Sequence, residues 1–462
     1  MSETASIKKQ IQLLIKEERW SDLSEHFLQL HPVDIAEIIS HAASSVHTTL
    51  FDLLPDEIKP DVLAELNDEA ESDIVEELSD EALSDIVEEM APDDAADVLG
   101  ELNAKRSEEI LELMENEESE EVRDLLRYDE ESAGGIMTPD VVAVRASMTA
   151  AEALEYIGKL DLDEPIYYAY VVDEENHLTG SVQLWEMIKH VNKTRKMEEL
   201  SDKETHSVLT STDREEVVKI VDKYDLSALA VVDEKGCLVG RVTVDDIVDI
   251  MKEEASEDIF KLAGSSDSEL EDTSPLQACK ARLPWLLITL ATGFVSSLIL
   301  KSFNHHLELT KIIPLMFFVP IIMAMGGNTG IQSSTLIIRG IALGASHSKR
   351  IGKILIHEII AGAIMGLICG VSIGLWAYFI INTSGNNPWA EPAYLAATVS
   401  IALFSAMTFA AVFGALVPVL LDRLKIDPAV ASGPFVSASN DIFALLIYYG
   451  VTLLMIGAAH LG

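Results

Sequence analysis

The chain divides sharply into two halves suited to different solvents. From residue 284 onward it holds eight Lys/Arg and six Asp/Glu, so the first 283 residues carry −46 against a total of −44. The second half contains five apolar stretches, roughly 284–303, 312–336, 353–381, 393–421 and 430–459, each long enough to span a bilayer. No water satisfies backbone groups in hydrocarbon, so such stretches must be helices. Lys280, Arg282, Arg339, Lys349, Arg350, Lys353, Arg423 and Lys425 fall on one side, and only Lys301 and Lys311 on the other. That bias predicts the acidic half in the cytoplasm and the C-terminus outside. The N-terminus, MSETASIKKQ, has no apolar run behind a basic start, so no secretory signal is expected. The charge of the first half excludes nucleic acid as a partner and favours multivalent cations, although solubility accounts for most of these acids. Cys237, Cys279 and Cys369 are scattered and suggest neither a metal cluster nor a disulfide framework.

Up to residue 130 the chain repeats. Leu54, Leu66, Leu78, Met90, Leu102 and Met114 recur every 12 residues, as do Val62, Ile74, Ile86, Val98 and Ile110. Turn-like pairs such as Asn67-Asp68, Ser79-Asp80 and Pro92-Asp93 separate them. Each unit reads as a capped two-turn helix with one apolar stripe. Helices this short are unstable alone, so the units should stack into a superhelix. The next segment is duplicated: Ala169-Tyr-Val-Val-Asp173…Leu178-Thr-Gly180 matches Leu229-Ala-Val-Val-Asp233…Leu238-Val-Gly240 at an offset of 60. Each copy predicts two strands and an amphipathic helix (184–192, 244–252), and the pattern resembles a tandem pair of CBS domains. Residues 253–283 form a Ser/Asp/Glu-rich connector in which Ser274-Pro275 opens a helix leading to the first apolar run.

Two places in the apolar half carry chemistry. The first is Asp441, in an otherwise uncharged stretch; a carboxylate at bilayer depth costs about 2.5 kcal/mol or more, and a cation is a physical reason to keep it. A structural Asp capping a broken helix is the alternative. The second is Pro320-Ile-Ile-Met-Ala-Met-Gly-Gly-Asn328-Thr-Gly330-Ile-Gln332. Gly326, Gly327 and Gly330 predict a mid-membrane helix break that frees carbonyls toward a cation, with Asn328, Thr329 and Gln332 adding neutral oxygens. Close helix packing is the competing explanation for the same glycines. Asp427, before Pro428, reads as an N-cap with a second role at the cytoplasmic mouth. Glu358 and His357 read as interfacial, and His305 and His306 as solvated in an external loop.

PxxMAMGGNTGxQ at 320–332 with DPAVASGPFV…D at 427–441 resembles the MgtE family of magnesium channels and transporters, and the domain order is similar along nearly the whole chain. The expected architecture is a multi-domain membrane protein. It has an all-α, superhelical N-terminal domain of short helices (1–130) and an α+β CBS-domain pair (131–197 and 198–258). A connecting or plug helix (259–283) leads to an all-α transmembrane domain of five helices (284–462). Five spans leave no internal inverted repeat, so a symmetric pore needs a dimer. The resemblance implies a homodimer in the bilayer, multi-pass in the cell (inner) membrane. It also implies Mg²⁺ as transported and regulatory ion, and Asp441 at the constriction in both subunits. Mg²⁺ keeps its waters and takes few direct oxygen ligands, which suits facing carboxylates. Where small residues are expected after this Asp, Ile442-Phe443-Ala444 follow.

The resemblance further implies sensing of internal Mg²⁺ by acidic faces. The candidates are Asp93, Asp94 and Asp97 on the repeat, and Asp245, Asp246, Asp249, Glu253, Glu254, Glu257 and Asp258 near the connector. Asp249, Glu253 and Glu257 share one helical face, where like charges repel by a few tenths of a kcal/mol per pair. Thr243-Val-Asp-Asp246 resembles the ribose-contacting pattern of CBS pairs, which brings in ATP as a regulatory ligand; Gln183-Leu-Trp-Glu186 in the first copy departs from it. No phosphate-cradling glycine loop is present, so no ATP hydrolysis and no enzymatic activity are expected. Two rivals stay open: a Na⁺- or H⁺-coupled divalent carrier, which a basic group or a second acid buried in a span would favour, and a membrane-anchored nucleotide sensor.

Overall fold

The structure, a computed structural model, describes residues 2–17, 19–160, 166–191, 195–265, 275–306, 315–342, 348–383, 392–431 and 433–459. They form two compact units, Met1–Glu253 and Glu254–Gly462. Ser274 and Lys311 lie outside the described residues, as do the side chains of His305, His306, Lys349 and Arg350.

The first unit begins with short helices, among them α1 (Asp68–Glu77), α2 (Asp80–Val87), α3 (Pro92–Gly100) and α4 (Ala104–Leu111). Asn67, Ser79 and Asn103 cap α1, α2 and α4 by accepting the backbone N–H of Ala70, Ala82 and Arg106 at 3.1–3.2 Å. The stripe with 12-residue spacing is the core: Val62, Ile74, Ile86, Val98 and Ile110 are all buried in one cluster. That cluster continues without interruption into Val208, Val217, Val231, Val242 and Ile247 of the second CBS copy.

The duplication is exact to the irregularities. Strands β1 (Ala143–Arg145), β2 (Tyr168–Val172) and β3 (Leu178–Gln183) form one sheet, parallel then antiparallel. Strands β4 (Ser207–Leu209), β5 (Ala228–Val232) and β6 (Leu238–Thr243) repeat it, down to the bulge at Val171/Val172 and Val231/Val232. The second copy ends in helix α5 (Val244–Ala263), which runs well past the expected end at 252 into the connector.

The second unit contains α6 (Pro275–His306), α7 (Val319–Ala342), α8 (Ser348–Thr383), α9 (Pro392–Arg423) and α10 (Gly433–Ala459). Four helices are long and apolar enough to cross a membrane among the described residues: Ala278–Phe303, Gly352–Ile380, Pro392–Arg423 and Gly433–Met455. The expected fifth, α7, carries Asn328, Thr329, Gln332, Ser333 and Ser334 and is not among them. Helix α8 lies along α9 at backbone distance: a Cβ at Gly366 would stand 2.9 Å from the Phe404 carbonyl, and one at Gly370 2.7 Å from that of Ser400. Such small-residue seams replace the hydrophobic effect, which lipid does not supply between helices.

Candidate ion path and cation-sensing cluster

Helix α7 is unbroken from Val319 to Ala342, so the expected mid-membrane break and its freed carbonyls are absent. The glycines serve packing instead. A Cβ on Gly327 would stand 3.1 Å from Ser437 Oγ and 3.4 Å from Asp441 Oδ1 of α10, and one on Gly326 3.1 Å from Ala444. Gly330 is pinched between the Asn440 amide of α10 and Gly414 of α9. Gly330→Ala must displace the Asn440 amide, and overpacking of this kind costs ~1–3 kcal/mol. The expected outcome is a lower thermal midpoint in detergent, with Gly352→Ala, which adds its methyl to open space, as the neutral control.

Asp441 is half-buried on α10, facing the Gly326-Gly327 step. Among the described residues its carboxylate makes no hydrogen bond or ion pair, so it caps nothing. The residues after it fit this packing. Ala444 is the small side chain that lets Gly326 approach, while Phe443 turns to Phe409 and Phe413 of α9 at ring distances of 5.0 and 5.1 Å.

The other expected ion-path residues do not gather at Asp441. Asn328, Thr329 and Gln332 line a cavity of about 310 Å³ with Met325, Met365, Ile368, Cys369 and Met407. Thr329 spends its hydroxyl on the Met325 carbonyl at 2.7 Å. Asp427 caps the short 3-10 turn Pro428–Ala431 and not α10 itself: its Oδ1 accepts the Ala429 N–H at 2.8 Å. Its Oδ2 accepts from Lys261 at 2.9 Å, and Lys261 also pairs with Glu257 at 2.5 Å. Burial opposes the charge on Lys261, but these two carboxylates outweigh it and raise its pKa. The end of α5 is thereby seated at the start of α10, where Gly433 lies against the Leu262 carbonyl.

Sequence reasoning missed two polar residues of the apolar bundle. Asn440 is 1 % exposed, with neither amide atom hydrogen-bonded among the described residues. Glu358 is buried in the bundle: it is 5 % exposed and accepts a hydrogen bond from Ser333 at 2.7 Å, whereas His357 is 80 % exposed. A lone carboxyl attracts attention in a sequence, but an amide carries no charge, and its place near the start of a span made Glu358 look interfacial.

In the first unit the expected acids do converge, with company. Asp97 of α3 is affected by Asp94, Glu130, Asp246 and Glu253, so the repeat and α5 face each other with the same charge. Crowded by protein though still open to solvent on one side, Asp97 is pushed up to about 7, by desolvation first and then by those neighbours. Glu71 rises to about 8 through desolvation and then Glu101, Asp68, Asp97 and Asp94. Glu65 is raised by burial and by Asp249, and Asp246 by burial against its bond to Thr243. Glu65, Glu71, Glu101 and Glu130 carried no signal in the sequence, because the tertiary fold alone brings them here. Asp93 and Asp94 occupy the first turn of α3, where the helix dipole favours them.

The protein's own cations relieve part of the repulsion expected along α5. Asp249 pairs with Lys252 at 2.5 Å, and Glu253 with Arg214 at 3.3 Å. Glu254 and Asp258 lie on the same helix within the second unit. Thr243 and Asp246 bond each other, Oγ1 to Oδ2 at 2.6 Å, at the helix start.

An apolar bundle with an unpartnered carboxyl inside it, joined to an acid-crowded soluble unit, defines a multi-domain membrane protein built to handle cations. Known families agree. Residues 319–451 match the MgtE divalent cation transporter domain, 30–131 the MgtE intracellular N domain, and 133–193 and 197–253 CBS domains. The chain is 40 % identical over 334 residues to the magnesium transporter MgtE of Thermus thermophilus, covering 72 % of this chain and 71 % of that one. It is 34 % identical to the Bacillus subtilis magnesium transporter MgtE, covering 70 % and 69 %. A solved structure described as the soluble part of a magnesium transporter is 30 % identical, covers 55 % of this chain and 99 % of its own, and superimposes with a TM-score of 0.48. The chain belongs to the MgtE family.

Proposed function

We propose that this chain is a Mg²⁺ channel, acting as a homodimer whose ion path passes the two Asp441 carboxylates. The observation that carries this reading is Asp441 itself, half-buried beside Gly326-Gly327 with no partner among the described residues. Helix α7 is then a fifth membrane helix, shielded from lipid by its neighbours and by the second subunit, which also covers the exposed Asn328 and Gln332. The soluble domains are cytoplasmic and the C-terminus outside, by the distribution of Lys and Arg. Mg²⁺ enters down its electrochemical gradient, to which a negative-inside potential contributes about 4.6 kcal/mol per divalent ion per 100 mV.

Cytosolic Mg²⁺ closes the path by screening and bridging the acids of α3 and α5, which otherwise repel. Helix α5 carries Asp245, Asp246, Asp249 and Glu253 at one end and the Lys261–Asp427 contact at the other. An adenine nucleotide at Thr243 and Asp246 has less support, because the two residues already satisfy each other.

The second reading is a coupled carrier, and Glu358, a second buried acid, is the observation on its side. Voltage-driven Mg²⁺ uptake into proteoliposomes without a Na⁺ or H⁺ gradient separates the two. The channel reading expects uptake under voltage alone; strict dependence on either gradient would establish the carrier.

A further inference from the structure

Glu358 has no part in the ion path described above, yet it is 5 % exposed on α8, inside the span Gly352–Ile380. One oxygen accepts the Ser333 hydroxyl of α7 at 2.7 Å; the other lies 3.7 Å from the His357 ring. Ser333 is itself 1 % exposed. Helix α8 packs along α9 for most of its length and meets α7 at few points. Helix α7 in turn rests on α10 and α9 through glycines, at Gly326, Gly327 and Gly330. A glycine seam allows close approach but offers few knobs to stop a helix from rotating or sliding. The Ser333–Glu358 bond is directional, charge-assisted and shielded from water, conditions under which a hydrogen bond is strongest. It falls one residue after Gln332 and one turn after Thr329.

We propose that Glu358 is a positioning residue for transport: through Ser333 it sets the rotation and height of α7, and so the aim of the Gly326–Gln332 segment at the ion beside Asp441. This rests on the ion-path reading above. The role requires a hydrogen-bond acceptor at 358 and a donor at 333; it does not require a negative charge.

The test is the Mg²⁺ concentration dependence of flux in proteoliposomes for wild type, Glu358→Gln, Glu358→Ala, Ser333→Ala, the double alanine variant and Asp441→Asn. Monodisperse elution and an unchanged helical spectrum check that each variant folds. The expected result is a half-saturating Mg²⁺ concentration raised about tenfold in each alanine variant, the size expected from losing one charge-assisted bond. The double variant should be no worse than the singles, and Glu358→Gln, which still accepts from Ser333, should stay within about threefold of wild type. Two results would overturn the proposal: half-saturation unchanged in both single alanine variants, or Glu358→Gln as impaired as Glu358→Ala, which would make the charge itself the requirement. Loss of flux in Asp441→Asn with Glu358→Ala unaffected refutes the positioning role alone. Full flux in Asp441→Asn refutes the reading beneath it.

Discussion

Asp441→Asn is expected to lower Mg²⁺ flux by roughly two orders of magnitude while leaving the fold intact. The amide is nearly isosteric, and among the described residues the carboxylate makes no hydrogen bond or ion pair that folding would miss. Removing the charge even lightens the cost of placing this position in a bilayer. What is lost is attraction for a hydrated dication. Each charge-assisted contact is worth about 1.5–3 kcal/mol, and ~1.4 kcal/mol is a factor of ten. Two subunits lose one such contact each. Asp441→Glu keeps the charge but extends it toward the Gly326-Gly327 step, where a Cβ on Gly327 would already meet Oδ1 at 3.4 Å. It should retain part of the flux with altered preference among divalent ions. Equal flux in wild type and Asp441→Asn, measured by ion uptake, would remove this residue from the path.

The second large effect concerns the acid cluster and pH. Asp97 and Glu71 hold their protons more tightly in the compact first unit than in an open chain, at about 7 and about 8. A carboxyl whose pKa is raised in the compact form favours that form while it is protonated. Its contribution is present at low pH and is lost as pH rises through the ordinary carboxylate range to about 7–8. Without divalent ions the compact arrangement of α3 against α5 should therefore weaken steadily from pH 5 to pH 8. Millimolar Mg²⁺ supplies the missing positive charge and should flatten that dependence. In thermal unfolding of the full chain, the metal-free midpoint of the first unit should fall by several degrees over this range, at ~2–4 °C per kcal/mol for a unit of this size. Asp97→Asn with Glu71→Gln should be less sensitive to both pH and Mg²⁺ over the same window, with Glu65 and Asp246 carrying what remains. A midpoint in wild type that rises with pH in the absence of metal would show that these acids do not oppose one another in the compact state.

The repeat of 12 residues, the duplicated CBS copy and Asp441 were legible because each is a periodicity or a local cost. Val62, Ile74 and Val98 had to be buried, and a carboxyl amid apolar residues had to be explained. What was not legible depended on partners far away in sequence. The acids of α5 stood out, but their relief by Arg214, Lys252 and Lys261 and their crowding by Glu65 and Asp97 follow only from the fold. Glycine supports two opposite readings in a membrane helix, a break or a seam. Gly330 proves to be a seam because Gly414 and Asn440 close on it from two sides. The continuity of α5 from Val244 to Ala263 was hidden by acids that resemble a linker.

The most direct measurement is Mg²⁺ current through the purified protein in a planar bilayer, wild type against Asp441→Asn, with no Na⁺ or H⁺ gradient. The account predicts a wild-type current that reverses at the Mg²⁺ equilibrium potential and is nearly absent in the variant. Indistinguishable currents, or none in wild type under voltage alone, would contradict it.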